Sequence, residues 1–186
     1  MPLLATTFKW WETGVNLLPA GFSRLSGSCL GAHPTMASHV FSEIFLHFNW
    51  HTDGDQPSIS PTIESFVHNY IRNTCRQTPG VFFEGIGGTE THVHLAIRVE
   101  PHITPSEFIG ALKGSSAFET NKQFKRTILT WQRGYGVASF SRSQLKFVLD
   151  YIKNQKEHHA RNTLKPRLEA TEQLPESRLK PADENN

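Results

Sequence analysis

Two short patterns hold the side chains that could do chemistry. His92 and His94 are two positions apart in Thr91–Val99, where apolar residues alternate as in a strand, so both imidazoles should leave the same face. Tyr151 and Gln155 are four positions apart in a segment with helical spacing, so they should share one helix face. Together these residue types are compatible with a divalent metal site beside a phenol nucleophile.

Each pattern also has a simpler interpretation when it is taken alone. The two histidines can be ordinary surface residues. Tyr151 can be an amphipathic residue at the edge of the core, and Gln155 can be an ordinary exposed helix residue. The chemical interpretation therefore depends on a fold that brings the strand and the helix together.

The surrounding sequence predicts the elements that would position these residues. Strands are predicted at about 44–50, 81–86, 92–99 and 135–140, with Gly87-Gly88 as a turn, and helices are predicted to begin at Pro61, Thr104 and Ser141. The last helix is predicted to run to about Ala160. This order predicts an α+β fold, a ferredoxin-like antiparallel sheet with helices on one face and an added C-terminal helix that carries Tyr151. Such a fold has many functions.

Only the middle of the chain shows this regular periodicity. Residues 1–37 are predicted to be a loosely ordered leader, residues 38–161 the functional domain, and residues 162–186 a flexible tail rich in Pro, Glu, Lys and Asn. No apolar stretch is long enough to suggest a membrane span. Cys29 and Cys75 form no C-x-x-C pair, which argues against a disulfide framework or a cysteine zinc site.

Positive charge is concentrated in the second half of the predicted domain. From Lys113 to Arg167 there are twelve lysines and arginines but only Glu119, Asp150 and Glu157 on the acidic side, although the whole chain has a net charge of +2. A basic block of this kind suits a polyanion, because each neutralised phosphate releases condensed counterions. A solvated basic face without a partner is the alternative.

The combined patterns resemble the single-tyrosine HUH transposases of bacterial insertion sequences and their REP-associated relatives. The marks of that family are a His-hydrophobic-His strand, here His92-Val93-His94, and a late helix with Tyr-x-x-x-Gln, here Tyr151 to Gln155. Further similarity lies in four stretches: 84–88, 112–116, 131–136 and 156–159. Together the matches span most of residues 38–160, whereas the leader and the tail depart from the family pattern.

The resemblance implies an enzyme, a metal-dependent transposase that nicks single-stranded DNA and transfers strands. In such a protein His92, His94 and Gln155 hold one divalent ion, Mg²⁺ or Mn²⁺, and Tyr151 attacks the scissile phosphate. The tyrosine becomes joined to the 5′ side of the break, and the released 3′ hydroxyl can rejoin strands later. Two imidazoles also suit Zn²⁺, so the residues themselves leave the metal open. No P-loop is present, and none is needed for this chemistry.

The resemblance also implies partners and a location. The expected substrate is single-stranded DNA with hairpins at the ends of a mobile element, and the protein is expected to act as a homodimer. Candidate phosphate contacts are Lys113, Lys122, Lys125, Arg126 and Arg133. We expect a cytoplasmic bacterial protein without a membrane partner, associated with the nucleoid when it binds DNA.

Two other functions stay open at this level. A replication or conjugation nickase uses the same histidine pair and tyrosine, but it normally belongs to a longer chain. A domesticated, non-catalytic DNA-binding protein, or an RNA-binding module of the same fold, would keep the histidines and Tyr151 for structural reasons. RNA-binding modules of this fold display aromatic side chains on the sheet, where this sequence has His92 and His94.

Overall fold

The computed structural model describes residues 41–172, which form a four-stranded antiparallel sheet covered by helices. The strands are β1 (Ile44–His51), β2 (Val81–Gly88), β3 (His92–Val99) and β4 (Gly136–Phe140), in the order β2-β3-β1-β4. The helices are α1 (Pro61–Gln77), α2 (Pro105–Gln123), α3 (Leu145–Lys153), α4 (Gln155–Arg161) and α5 (Pro166–Glu169). The predicted ferredoxin-like α+β fold is confirmed. The predicted leader, residues 1–37, lies outside the described residues.

The central strand β3 is buried on both faces. Val93, Leu95 and Ile97 belong to the main core, to which α1 and α2 contribute apolar residues on one side of the sheet. Side chains alternate along a strand, so His92, His94 and Ala96 face the opposite side. There Ala96 packs against Val148 and Ile152 of α3. The two histidines therefore lie beneath a helical layer and not at the surface.

The helices begin where the sequence predicts, although not always through the predicted cap. Pro61 and Pro105 occupy the first turns of α1 and α2, where a missing N–H costs nothing, but neither Ser60 nor Thr104 makes a side-chain cap hydrogen bond. The predicted box at Ser141 does form, because the Ser141 backbone N–H donates to Gln144 Oε1 over 3.1 Å. None of the helices in residues 41–172 is long and apolar enough to cross a membrane.

The last part of the fold differs from the prediction in two ways. The predicted continuous helix from Ser141 to Ala160 is a short 3-10 turn followed by α3 and α4, which are separated at Asn154. The predicted flexible tail is wrong for its first part, because residues up to 172 have a defined course and include α5. Leu168 of α5 is buried, with 8% of its surface exposed, and α5 lies against β1 and β4. Residues 173–186 lie outside the described residues.

Glycines in β2 let α3 lie directly on the sheet. Gly85 and Gly87 face α3, and a Cβ added at Gly85 would come within 2.6 Å of Leu149 Cδ2. A Cβ added at Gly87 would overlap the backbone carbonyl oxygen of Ile152, which cannot move without displacing the helix. This close approach holds α3, and hence Tyr151, next to the sheet. The structure thus places Gly87 and Gly88 inside β2 and not in the predicted turn.

The structure contradicts the prediction that Lys113 contacts a phosphate. Its side chain is buried, and its ammonium donates to the carbonyl oxygens of Gln132 and Gly134 over 2.8 and 2.5 Å. Burial also lowers the pKa of this lysine. Because its donors are directed at backbone carbonyls, Lys113 ties α2 to the loop before β4 and does not face solvent as a phosphate contact would.

Gly87→Ala should lower the free energy of unfolding by about 1–3 kcal/mol, because the new methyl group overlaps the Ile152 carbonyl. Gly110→Ala is the matched control, since Gly110 is a helical residue with nothing within 4 Å of an added Cβ. The Gly110→Ala control should raise the free energy of unfolding by about 0.5–1 kcal/mol. Urea unfolding curves measure both values, and a Gly87→Ala protein as stable as the wild type would contradict the close approach.

Lys113→Met should lower the free energy of unfolding by about 1–2 kcal/mol, because two backbone carbonyls lose their donor. Lys122→Met, at a side chain that is 66% exposed, should change it by less than about 0.5 kcal/mol. The same urea experiment compares the two variants. Equal stability of both proteins would show that the Lys113 hydrogen bonds do not contribute.

Candidate functional site

The site begins as a row of histidines on one face of the two central strands. On β1, Leu46, Phe48 and Trp50 enter the main core, so His47, Asn49 and His51 face the other side. The antiparallel register then sets Asn49 opposite His94 and His51 opposite His92. The sheet alone therefore brings four imidazoles together, those of His47, His51, His92 and His94.

Hydrogen bonds fix which nitrogen of each β3 histidine faces the site. His92 Nδ1 lies 2.9 Å from Thr89 Oγ1, and His94 Nδ1 lies 2.9 Å from His47 Nε2. Both contacts occupy Nδ1 and leave Nε2 directed away from the strand, an arrangement that orients imidazoles as metal ligands. His94 Nε2 is fully buried, yet it makes no hydrogen bond within residues 41–172. A buried ring nitrogen without such a bond is available as a ligand atom.

The second layer of the site comes from α3 and α4. Tyr151 and Gln155 are 2% and 1% exposed, so the simpler interpretation of Gln155 as an exposed helix residue is wrong. Gln155 Oε1 lies 3.3 Å from His92 Nε2, and the Tyr151 ring stands edge-on to the His94 ring with centroids 6.1 Å apart. The structure therefore brings together all four residues that the sequence singled out.

A fifth functional group, Glu169 of α5, was missed by sequence reasoning. One carboxylate oxygen accepts hydrogen bonds from the Tyr151 hydroxyl and, over 3.3 Å, from Gln155 Nε2. The other, Oε2, lies 3.4 Å from His94 Nε2. The only signal in the sequence is Pro166, which can start a short helix, because the surrounding stretch has the composition of a tail.

The protonation states follow from burial and from neighbouring charges. Burial, with His94 as the next cause, lowers the pKa of His92 to about 4 and that of His47 to about 3, so both rings are neutral at pH 7 and keep a lone pair. Burial and the hydrogen bond to Glu169 raise the pKa of Tyr151 to about 12. Burial favours the protonated form of Glu169, but His94 and the hydrogen bond from Tyr151 outweigh it and lower its pKa to about 2.

A divalent metal ion fits the donor atoms at this site. His92 Nε2, His94 Nε2 and Gln155 Oε1 offer two imidazole nitrogens and one amide oxygen, a set that suits Mn²⁺, Zn²⁺ and, less strongly, Mg²⁺. His159 of α4 lies near His92, with the two rings tilted and their centroids 4.7 Å apart. Ligand atoms of His92, His159 and Glu169 all lie within 4.8 Å of one another. The predicted metal set, His92, His94 and Gln155, does not include His159.

The predicted phosphate contacts do not surround these donor atoms. Lys122 belongs to α2, and Lys125 and Arg126 follow that helix directly, on the side of the sheet opposite His92 and His94. Lys122 lies 3.5 Å from Glu119. Lys125, Arg126 and Arg133 are exposed, and Arg133 lies in the loop before β4. These four cations are accessible, but the structure does not bring them to the histidine face.

Sequence comparison gives a family for this arrangement. The profile of the family described as "Transposase IS200 like" matches residues 40–155, which hold the sheet, Tyr151 and Gln155. Transposases for insertion sequence element IS200 from Salmonella typhimurium and Salmonella typhi are each 35% identical over 72 residues, 36% of this chain and 47% of their own. The chain thus spans about half the length of the curated relatives it matches.

A solved structure shares the fold. A Deinococcus radiodurans protein assigned as a transposase is 22% identical, with a TM-score of 0.51 over 63% of this chain and 94% of its own. The structure of a REP-associated tyrosine transposase bound to a REP hairpin is 12% identical, with a TM-score of 0.49 over 67% of this chain and 74% of its own. Because the family profile covers more than half of the sequence, the chain belongs to the IS200-like transposase family.

Proposed function

We propose that this chain cleaves and rejoins single-stranded DNA through a 5′-phosphotyrosine intermediate, with Tyr151 as the nucleophile and a divalent metal ion at His92, His94 and Gln155. The observation that carries the proposal is the convergence of two distant segments. Gln155 Oε1 lies 3.3 Å from His92 Nε2, and Tyr151 lies four residues before Gln155, against His94. A structural role alone would not require two buried imidazole nitrogens and a buried amide oxygen at one place.

The proposed metal ligands are the two Nε2 atoms and Gln155 Oε1, with Mg²⁺ or Mn²⁺ as the ion. When bound, a divalent ion would neutralise charge on the scissile phosphate and polarise its P–O bonds. His47 and Thr89 act as positioning residues in this scheme, since each contacts the Nδ1 atom of a proposed ligand. Such contacts hold the ring orientation and typically affect metal affinity.

Tyr151 needs both positioning and help with its proton. Its hydroxyl oxygen accepts a hydrogen bond from the Lys165 backbone N–H over 3.0 Å while its proton points to Glu169. Because the pKa of Tyr151 is raised to about 12, the phenol is protonated at neutral pH. In the proposed step the phenol oxygen forms a bond to phosphorus, the bond from phosphorus to O3′ breaks, and the phenol gives up its proton as the 3′ oxygen gains one. The Lys165 N–H stabilises negative charge that develops on the phenol oxygen.

The proposed partner is single-stranded DNA that carries hairpins at the ends of a mobile element. Family membership and the twelve basic residues between Lys113 and Arg167 support this proposal. Four exposed cations stay as proposed backbone contacts: Lys122, Lys125, Arg126 and Arg133. Assembly as a homodimer and a place in the bacterial cytoplasm, on the nucleoid, also belong to the proposal. Lys113 is not included, because its ammonium is directed at backbone carbonyls.

Tyr151→Phe should abolish a covalent protein–DNA adduct, because phenylalanine lacks the attacking oxygen. The experiment incubates the purified chain with labelled single-stranded DNA from the flanks of its own locus, in Mg²⁺ or Mn²⁺, and separates adducts by denaturing electrophoresis. We expect adduct formation to fall at least about 100-fold while DNA binding is retained. The chain has three tyrosines, so Tyr70→Phe and Tyr135→Phe are matched controls that should keep the adduct.

Three outcomes of that assay have distinct meanings. An adduct that needs metal and disappears only with Tyr151→Phe supports the proposed nucleophile. An adduct that survives Tyr151→Phe assigns the chemistry to another residue. Binding of DNA without any adduct, over several candidate ends, would favour a non-catalytic DNA-binding protein.

A further inference from the structure

We propose that Glu169 is a fourth ligand of the metal ion when no DNA is bound, so that the segment after the family-matched residues 40–155 completes the metal site. This inference rests on the proposed function, because it assumes an ion at His92, His94 and Gln155. It adds a residue that neither the metal-site pattern in the sequence nor the matched family region contains.

Glu169 lies close to the nitrogen atoms of both proposed histidine ligands. Glu169 Oε2 lies 3.4 Å from His94 Nε2, the buried nitrogen that makes no hydrogen bond within residues 41–172. Glu169 also offers an oxygen within 4.8 Å of a ring nitrogen of His92. Two atoms that bind the same ion at about 2.1 Å each lie roughly 3–4 Å apart. The carboxylate of Glu169 is therefore at the right range to share an ion with His94, and it lies near the ring of His92.

The chemistry of the carboxylate agrees with these distances. Imidazole and amide ligands give the ion no counter-charge, and a buried dication without one is strongly disfavoured. Glu169 is mostly buried and is the carboxylate that contacts both Gln155 and Tyr151. An anionic oxygen is also the ligand type that Mg²⁺ and Mn²⁺ prefer. One carboxylate ligand would halve the positive charge of the divalent ion that the other ligands leave uncompensated.

The position of Glu169 is set by contacts that do not involve an ion. Leu168, the residue before it, is buried against the fold, and Arg167 donates to the Ser139 carbonyl oxygen over 3.2 Å. After it, Ala170 approaches β4 so closely that a Cβ on Gly136 would overlap the Ala170 carbonyl oxygen. These contacts on both sides hold Glu169 over the histidines. The carboxylate is therefore preorganised for a ligand and does not depend on one for its place.

A consequence follows for DNA binding. A scissile phosphate and Glu169 are both anionic oxygen donors, and Glu169 accepts a hydrogen bond from the proposed nucleophile Tyr151. The carboxylate would then hold the ion in the DNA-free protein and yield its position to a phosphate oxygen in the complex.

The test measures Mn²⁺ binding to the full chain without DNA, by the electron paramagnetic resonance signal of free Mn²⁺. Glu169→Gln removes the anionic donor with little change of shape and should weaken Mn²⁺ binding at least about tenfold. Glu172→Gln is the matched control, an exposed acidic residue three positions later, and should stay within about twofold of the wild type. His94→Ala tests the metal site itself and should also weaken binding at least about tenfold.

The variants separate two failures. If His94→Ala weakens Mn²⁺ binding and Glu169→Gln does not, the ligand role of Glu169 is wrong and the proposed metal site stands. If neither change affects binding, the ion does not bind at the histidines, and both proposals are wrong. A second readout needs no variant: in the wild-type chain with ¹³C-carboxyl glutamate, a bound carboxylate should give a ¹³C hyperfine coupling to Mn²⁺. Absence of that coupling would overturn the inference even if Glu169→Gln failed to fold.

Discussion

Burial of His92 and His94 on the central strand is the constraint on which the rest of the site depends. Polar side chains that leave water need partners inside the protein, or their burial costs several kcal/mol. Here the Nδ1 atoms find partners in Thr89 and His47, while the Nε2 atoms point into the space between the sheet and the second helical layer. The side chains beside these rings include a phenol, an amide, a carboxylate and further imidazoles.

The second helical layer lies in this position because the sheet has small residues beneath it. Glycines on β2 let the backbone of α3 approach the strand, and Ala96 on β3 leaves space for Val148 and Ile152. Small residues under α3 thus place Tyr151 at the depth of the histidines. The C-terminal segment then closes the remaining side through Leu168 and Glu169. The close approach of α3 to the sheet therefore determines both the packing around the site and the position of Tyr151 beside the histidines.

Much of the fold could be predicted from residue order and periodicity. The alternation in Ile44–His51 and in His92–Val99 gave the strands, and proline at the start of α1 and α2 gave the helix starts. The same alternation could also have predicted His47, because Leu46 and Phe48 occupy the core face on either side of it. That signal is as local as the one for His92 and His94.

Other features depend on contacts between distant segments, which no local pattern reports. Glu169 lies in a stretch whose composition is that of a solvated tail. Its position depends on the burial of Leu168, which is at least 28 residues along the chain from either strand that α5 contacts. In the sequence, nothing distinguishes Lys113 from the other lysines of the basic block. Its structural role depends on the carbonyls of Gln132 and Gly134, which only the fold brings next to its ammonium. The interruption at Asn154 likewise has no proline or glycine to mark it.

The most direct test of the account is the position of a bound metal ion. Crystals of the full chain grown with Mn²⁺ and measured near the manganese absorption edge would locate the ion by its anomalous signal. The account predicts one strong peak bonded to His92 Nε2, His94 Nε2 and Gln155 Oε1, on the side of the histidines that faces Tyr151. A peak bound elsewhere, with these three atoms free of metal, would contradict the central claim that the strand pair and the tyrosine helix form one metal-dependent site.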